Sequence, residues 1–433
     1  MNSPQAIAYL YSLQTRGMKF GLRGIRILLK HLGNPETQFP SIHVAGSNGK
    51  GSTAALLAAS LTAAGYRTGL YTSPHLVSFH ERIRIDGKPI LERQIPEYVR
   101  LLRPIIEELR TTFFEAVTAL AFRYFADEKV DIAVVETGLG GRLDATNVLN
   151  PVVSVLTTVS LEHTQILGNS LAAIAYEKAG IIKRGIPCVS GVTAHPAREV
   201  IHRTCHSRRS RLIETAGGRA EVGRSDLTGS TASFVLGKKG LRDVKIGLAG
   251  AFQVSNAFVA LATLWELGHR GFNVTEADIR RGFARVTALT GFRGRLTVAR
   301  RRPLTIVDVA HNPAAVRQLV QAIHDARLEN LTIVFGVMGD KAFRSMIGIL
   351  ADIAGRAIAV QPLTERARSA ETIAAAFRAR KVPVAVGPTV REGMMIAGRA
   401  AGKRGIVLVT GSHFVVGEAL AFMERKNYLT INQ

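Results

Sequence analysis

A chain of 433 residues is too long for one ordinary core, so two or three domains are expected. With 47% hydrophobic and 21% charged residues it reads as globular, and no apolar run is long enough to span a membrane. Two cysteines, Cys188 and Cys205, argue against a disulfide framework or a four-ligand zinc site, while a net charge of +23 leaves two readings, a nucleic-acid binder or an enzyme of polyanionic ligands.

The first ten residues lack the basic-then-apolar pattern of a secretion signal, which suits a cytoplasmic enzyme. Residues 3–32 read as one or two amphipathic helices broken at 17–24, and 34–40 as a loop. The β-branched run from Ile42 to Ala45 then ends in Gly46-Ser47-Asn48-Gly49-Lys50-Gly51-Ser52-Thr53, and an Ala/Leu-rich helix follows to residue 64. Strand, small-residue loop and helix are the context of a phosphate loop, in which backbone N–H groups and the helix N-terminus receive phosphate oxygens. Lys50 would reach the β- and γ-phosphates, and Ser52 or Thr53 would add a hydroxyl. Gly51 stands between lysine and hydroxyl, a departure from the usual spacing.

A short strand over 68–71 ends in Thr72-Ser73-Pro74-His75. Ser73 is either a turn serine capping its own backbone or, if this strand neighbours the phosphate loop, a ligand at the carboxyl end of the sheet. Residues 91–109 predict a helix entered through Pro96, and Thr112-Phe113-Phe114-Glu115 opens the next. Thr112 and Glu115 have capping-box spacing, so Glu115 has a structural use. A buried-strand run over 130–135 ends at Glu136, before the glycine-rich turn leading to Leu143-Asp144-Ala145. The next strand, 151–159, ends before Glu162-His163. Two polar residues, Glu136 and His163, at two strand ends beside a phosphate loop suggest a magnesium site. Ser170 caps a helix carrying Glu177-Lys178, in which an ion pair is the ordinary role for Lys178.

A strand over 186–192 follows. Residues 195–245 carry weak periodicity and read as an irregular segment with short strands; the Arg-rich part, 195–211, has no aromatic residue to stack on a nucleic-acid base. A long helix starts at 250–257 and a short one spans 275–285. Glycine-rich turn chemistry at 290–295 marks the expected boundary between a domain over 1–290 and another over 291–433. Beyond it come a hairpin and then helices and strands in regular alternation, predicting a second parallel α/β domain.

These residues, in this order and over nearly the whole chain, resemble folylpolyglutamate synthase/dihydrofolate synthase of the Mur-ligase type. Glu136 to Asn147 (Glu-Thr-Gly-Leu-Gly-Gly-Arg-Leu-Asp-Ala-Thr-Asn) and Glu177-Lys178-Ala179-Gly180-Ile181 carry the likeness most specifically. The resemblance implies an α/β fold: an N-terminal P-loop ATPase domain with a mostly parallel sheet and a C-terminal Rossmann-like α/β domain. It implies an ATP-dependent ligase adding L-glutamate to dihydropteroate or tetrahydrofolate through an acyl phosphate, acting in the cytoplasm as a monomer with no nucleic-acid or membrane partner. Asn48, Gly49, Lys50, Gly51, Ser52, Asn256, Arg295 and Asp308 would bind ATP. Ser73, Glu136 and His163 would bind Mg²⁺, with two metal sites in all. Lys178, carbamylated by CO₂, would join Lys50 and His311 in catalysis. Thr112, Phe113, Phe114, Glu115, Leu143, Asp144 and Ala145 would contact dihydropteroate.

Four positions depart from the family pattern: Glu162 for Asp, Val309 for Gly, Phe252 for His, and Phe292-Arg293 for Trp-Pro. The related cell-wall ligases place a substrate domain before the phosphate loop, for which the 45 residues ahead of Gly46 are too few. The competing reading is a basic P-loop NTPase acting with nucleic acid.

Overall fold

The computed structural model describes residues 1–17, 19, 21–426 and 428. Positions 18 and 20, inside the expected break between the first helices, lie outside the described residues. The helices around them are Ser3–Ser12 and Arg23–His31.

Fully apolar runs form the centre of an eight-stranded sheet. Its order is Lys88–Pro89, Ile83–Ile85, Thr68–Tyr71, Ile132–Glu136, Ser41–Ala45, Val153–Leu156, Cys188–Ser190, Leu212–Glu214. Pairing is parallel from Thr68–Tyr71 onward, and only the two pairings made by Ile83–Ile85 are antiparallel. Strands buried on both faces need helices on both sides. The helix Lys50–Ala63 is buried almost all round, between the sheet and the helices Phe252–Leu267 and Glu276–Ala284. On the other face, Phe113–Asp127 packs with Arg23–His31 and Ile95–Leu109.

Residues 195–245 differ from the irregular segment expected. They form a helix, His195–Ser207, a short strand, and an antiparallel three-stranded sheet of Arg219–Asp226, Gly229–Leu236 and Lys239–Ile246. The helix buries Ala197, Val200, Ile201 and Cys205, an amphipathic stripe thinned by its Arg and His residues. In the small sheet, register shifts between Ser230 and Ala232 and between Ala232 and Phe234 interrupt the two-residue alternation. Phe234 faces Phe258 of the long helix, 5.3 Å between centroids.

The C-terminal sheet runs Thr297–Arg301, Leu304–Val307, Ile406–Thr410, Leu331–Phe335, Ala354–Val360, Val384–Gly387. All its pairings are parallel except the opening hairpin. Leu76 and Val77, from the N-terminal half, lie in the core of this second sheet and tie the two halves together beside the cleft.

Candidate active site

In the large sheet the strands ending at Tyr71, Glu136, Ala45 and Leu156 are consecutive neighbours. The segments beginning at Thr72, Thr137, Gly46 and Thr157 therefore leave the sheet side by side. That adjacency converts residues far apart in sequence into one site.

The phosphate-loop segment is tightly built. Gly49 holds φ 87° at the helix N-cap, and a Cβ there would stand 2.1 Å from Asn256 Oδ1. Asn256 donates to Gln253 Oε1 at 2.9 Å, so its oxygen side is turned toward the loop. Lys50 Nζ donates to the carbonyls of Gly46 (2.9 Å) and Ser47 (3.3 Å), coiled over the loop it serves. Gly51 and Ser52 enter the buried first turn, and Gly51 lies against Phe292. Asn48 takes its place through Thr157, Thr158 and Ser160.

Glu136 is 5% exposed, and Ser73 N–H donates to its Oε2 at 3.2 Å. Burial pushes its carboxyl up to about 7, against the pull of Lys50, the Ser73 amide and Arg295. A buried carboxylate with one hydrogen bond, facing a cleft, is a hard oxygen donor short of cations. Magnesium takes few protein ligands and keeps several waters, so Ser73 with Glu136 fits it. His163 takes φ 46° at the start of the turn Thr164–Leu167, and Lys341, Glu162, Asp340 and Lys50 are among the charges that act on it. Burial, then Lys341, lowers its pKa, which favours the neutral ring, with one nitrogen bearing a proton and the other free to accept. Among the described residues no three His, Cys, Asp or Glu side chains gather as a metal cluster.

Lys178 is 1% exposed. Its Nζ donates to Glu162 Oε1 at 2.8 Å and to the Gly46 carbonyl at 2.9 Å. Burial lowers its amine to about 8, against the pull of Glu162. Burial also opposes the Glu162 charge, yet Lys178 and Lys50 outweigh it and hold that carboxyl at about 2. The ion pair expected of a helical lysine is thus present, with Glu162 as its partner.

In the stretch Thr112–Glu115, Thr112 N–H and Oγ1 both donate to Glu115 Oε2 at 2.8 Å, the capping box that the sequence predicts. Phe113 stacks on Tyr11, centroids 5.8 Å apart, with the Arg82 guanidinium 5.2 Å from its ring. Phe114 lies against Gly138 and faces Tyr71 at 6.2 Å. Asp144 accepts from Leu139 N–H (2.8 Å), Thr146 N–H (3.0 Å) and Thr146 Oγ1 (2.5 Å), so it braces the glycine-rich turn that presents half-buried Leu143 and buried Ala145.

From the C-terminal half, Asp308 accepts the amides of Leu296 and Ala310, both at 2.8 Å, and so shapes the loop after Arg295. Arg295 lines the cleft with Ser73 and Glu136. His311 Nδ1 lies 3.0 Å from the Val309 carbonyl, 5.3 Å ring to ring from His413, and burial lowers it to about 4. Four residues near the site carry no role in the sequence reading. Asn312 caps the helix Pro313–Asp325 through Ala315 N–H and reaches Asn48 Oδ1 at 3.1 Å with its Nδ2. Lys341 bears on His163 and His311, His413 lines the cleft, and Glu162 holds Lys178. Asn312 carried a signal as an N-cap residue before proline, and Glu162 as the residue standing where the family pattern has Asp.

The Mur ligase middle-domain model matches residues 44–264, and the Mur ligase glutamate-ligase-domain model matches 294–413. The chain belongs to the Mur ligase family. Within that family it is 36% identical to the folylpolyglutamate synthase of Lacticaseibacillus casei over 80% of this chain and 82% of that protein. It is 34% identical to a probable bifunctional folylpolyglutamate synthase/dihydropteroate synthase of Haloferax volcanii over 97% of this chain, and it spans about half the length of that relative, 50%. The solved Mycobacterium tuberculosis folylpolyglutamate synthase complexed with ADP superposes with a TM-score of 0.89 at 32% identity, covering 99% of this chain and 100% of that one. The Mur ligase is thereby placed in the folylpolyglutamate synthase/dihydrofolate synthase branch as an ATP-dependent ligase. Among the described residues no helix is long and apolar enough to cross a membrane.

Proposed function

We propose that this Mur ligase couples ATP hydrolysis to amide formation between L-glutamate and a pteroyl carboxylate, that of dihydropteroate or of tetrahydrofolate. The observation that carries the reading is the buried, under-bonded Glu136, flanked by Ser73, Lys50 and Arg295 where four strand ends meet.

A carboxylate resists attack by an amine, so it is first phosphorylated. Its oxygen attacks the γ-phosphorus of ATP, ADP leaves, and an acyl phosphate forms. The glutamate amine then attacks the acyl carbon and inorganic phosphate departs. Two anions meet in the first step, so positioning and charge neutralisation dominate the barrier. Lys50, released from its loop carbonyls, supplies one cation, and Arg295 brings another from the C-terminal half. Ser73, Glu136 and His163 would hold magnesium, which supplies the remaining charge neutralisation when bound. Asn48, Gly49, Gly51, Ser52, Asn256 and Asp308 complete the nucleotide site. Phe113, Phe114 and the Leu143–Ala145 turn hold the acceptor. The Asn312–Asn48 contact links the C-terminal half to the phosphate loop, so closure and nucleotide seating go together.

Lys178 is suited to carbamylation because CO₂ adds only to a neutral amine, and burial brings that form within reach near pH 8. The ammonium first gives up a proton, the neutral nitrogen forms the N–C bond with CO₂, and a second proton leaves, so that a cation becomes an anion beside Glu162. Such a pair of anions is favourable only next to a bound cation.

ADP formation with dihydropteroate or tetrahydrofolate, each with and without glutamate, tests the reading. Release that requires both acceptor and glutamate is expected. Release indifferent to both and raised by DNA or RNA, with a steep salt dependence, would replace it with the nucleic-acid NTPase.

A further inference from the structure

The wall of the cleft holds an arginine that the ligation chemistry does not use. Arg84, on the short strand Ile83–Ile85, is 9% exposed and lines the cleft with Ser73, Glu136 and Arg293. Its Nε and Nη1 donate to the carbonyls of Glu81 and Gly87, both at 3.2 Å. Among the described residues no carboxylate stands within ion-pair distance of it. The nearby Glu81 is already committed, accepting the amides of Leu76, Val77 and Ser78 and the Nη2 of Arg293 at 3.2 Å. Arg293 pairs also with Glu424 through Nη1. Burial disfavours the charge on Arg84, Glu81 nearby offsets part of that, and Arg293 adds to it.

Buried guanidinium groups are ordinarily paired, because the desolvation of an unpaired one is expensive. Arg293 already has Glu81 and Glu424, so it is Arg84 alone whose place in the cleft wall lacks an anion. Arg84 is two residues from Arg82, whose guanidinium lies over Phe113 in the acceptor stretch, so the missing anion belongs to the acceptor rather than to the nucleotide loop. Dihydropteroate carries one carboxylate, the one activated. A folate that already bears glutamate carries an additional α-carboxylate for each residue of its tail. A forked guanidinium matches a carboxylate in shape and charge.

We propose that Arg84 receives an α-carboxylate of the glutamyl tail already present on the acceptor, and so favours tail-bearing folates over dihydropteroate. This rests on the glutamate-ligase reading above.

The test compares kcat/KM for tetrahydrofolyl diglutamate and for dihydropteroate in the wild type, Arg84→Met and Arg84→Lys, with KM for ATP measured alongside. Arg84→Met is expected to lower the diglutamate-to-dihydropteroate ratio by about tenfold or more, the worth of one charged hydrogen-bonded pair, and Arg84→Lys to recover part of it. A ratio within about twofold of wild type in both variants, whether both acceptors are untouched or fall together, overturns the proposal. So does a raised KM for ATP at constant ratio, which would assign Arg84 to phosphate. A wild type silent with both acceptors overturns the ligase reading and this proposal with it.

Discussion

Lys178 and Glu162 are the most constrained pair of side chains at the site. Each is buried, each is held in its place by the other, and Glu162 is one methylene longer than the aspartate of the family pattern. Removing one partner strands the other charge, which costs about 3–5 kcal/mol in buried pairs. Lys178→Met is therefore expected to lower stability by that order, and Glu162→Gln added to it to restore at least half, read from urea unfolding midpoints. Additive losses in the double variant would contradict the pairing. The sequence made Lys178 legible as a candidate, because its five-residue motif is specific, and made an ion pair its default role. Its partner was not legible, since Glu162 lies 16 positions away on another strand's exit and only sheet order brings the two together. His163 shows the reverse: its station at a strand end was legible, but a left-handed backbone turns its surroundings toward Lys341 and Asp340 of the C-terminal half.

Among the elements, the strand–loop–helix at Ser41–Ala63 has the least freedom. The apolar run and the Gly-Lys-Gly turn revealed it in sequence; the obligation of Gly49 was revealed only by the structure, where φ 87° and the nearby Asn256 oxygen both exclude a side chain. Gly49→Ala strains the backbone by about 1–3 kcal/mol and drives a methyl into Asn256. It is expected to weaken ATP binding by about tenfold or more, checked by calorimetric titration with a non-hydrolysable analogue. Affinity equal to wild type would show that the loop is looser than drawn. The small sheet over Arg219–Ile246 was illegible for a physical reason. One face packs on the helix Phe252–Leu267 while the other carries Arg, Lys and Glu, and its bulges break the alternation that reveals a strand.

At the scale of the whole molecule the regular strand–helix alternation after residue 303 made the second α/β sheet readable, strand by strand. The joints between the halves were not readable. Leu76 and Val77 in the second core, Arg293 between Glu81 and Glu424, and Asn312 on Asn48 are long-range contacts that leave no local pattern. They bring Ser73, Glu136, Gly51 of the phosphate loop and the C-terminal Arg293 and Arg295 around one cleft, where the proposed attack of a carboxylate on ATP would take place. In that attack the acceptor carboxylate gives one of its oxygens to the phosphate. Dihydropteroate labelled with ¹⁸O in its carboxylate, turned over with ATP and glutamate, tests it directly by mass spectrometry of the phosphate released. Transfer of one labelled oxygen to phosphate per amide formed is predicted; phosphate carrying no label while the amide accumulates would contradict it.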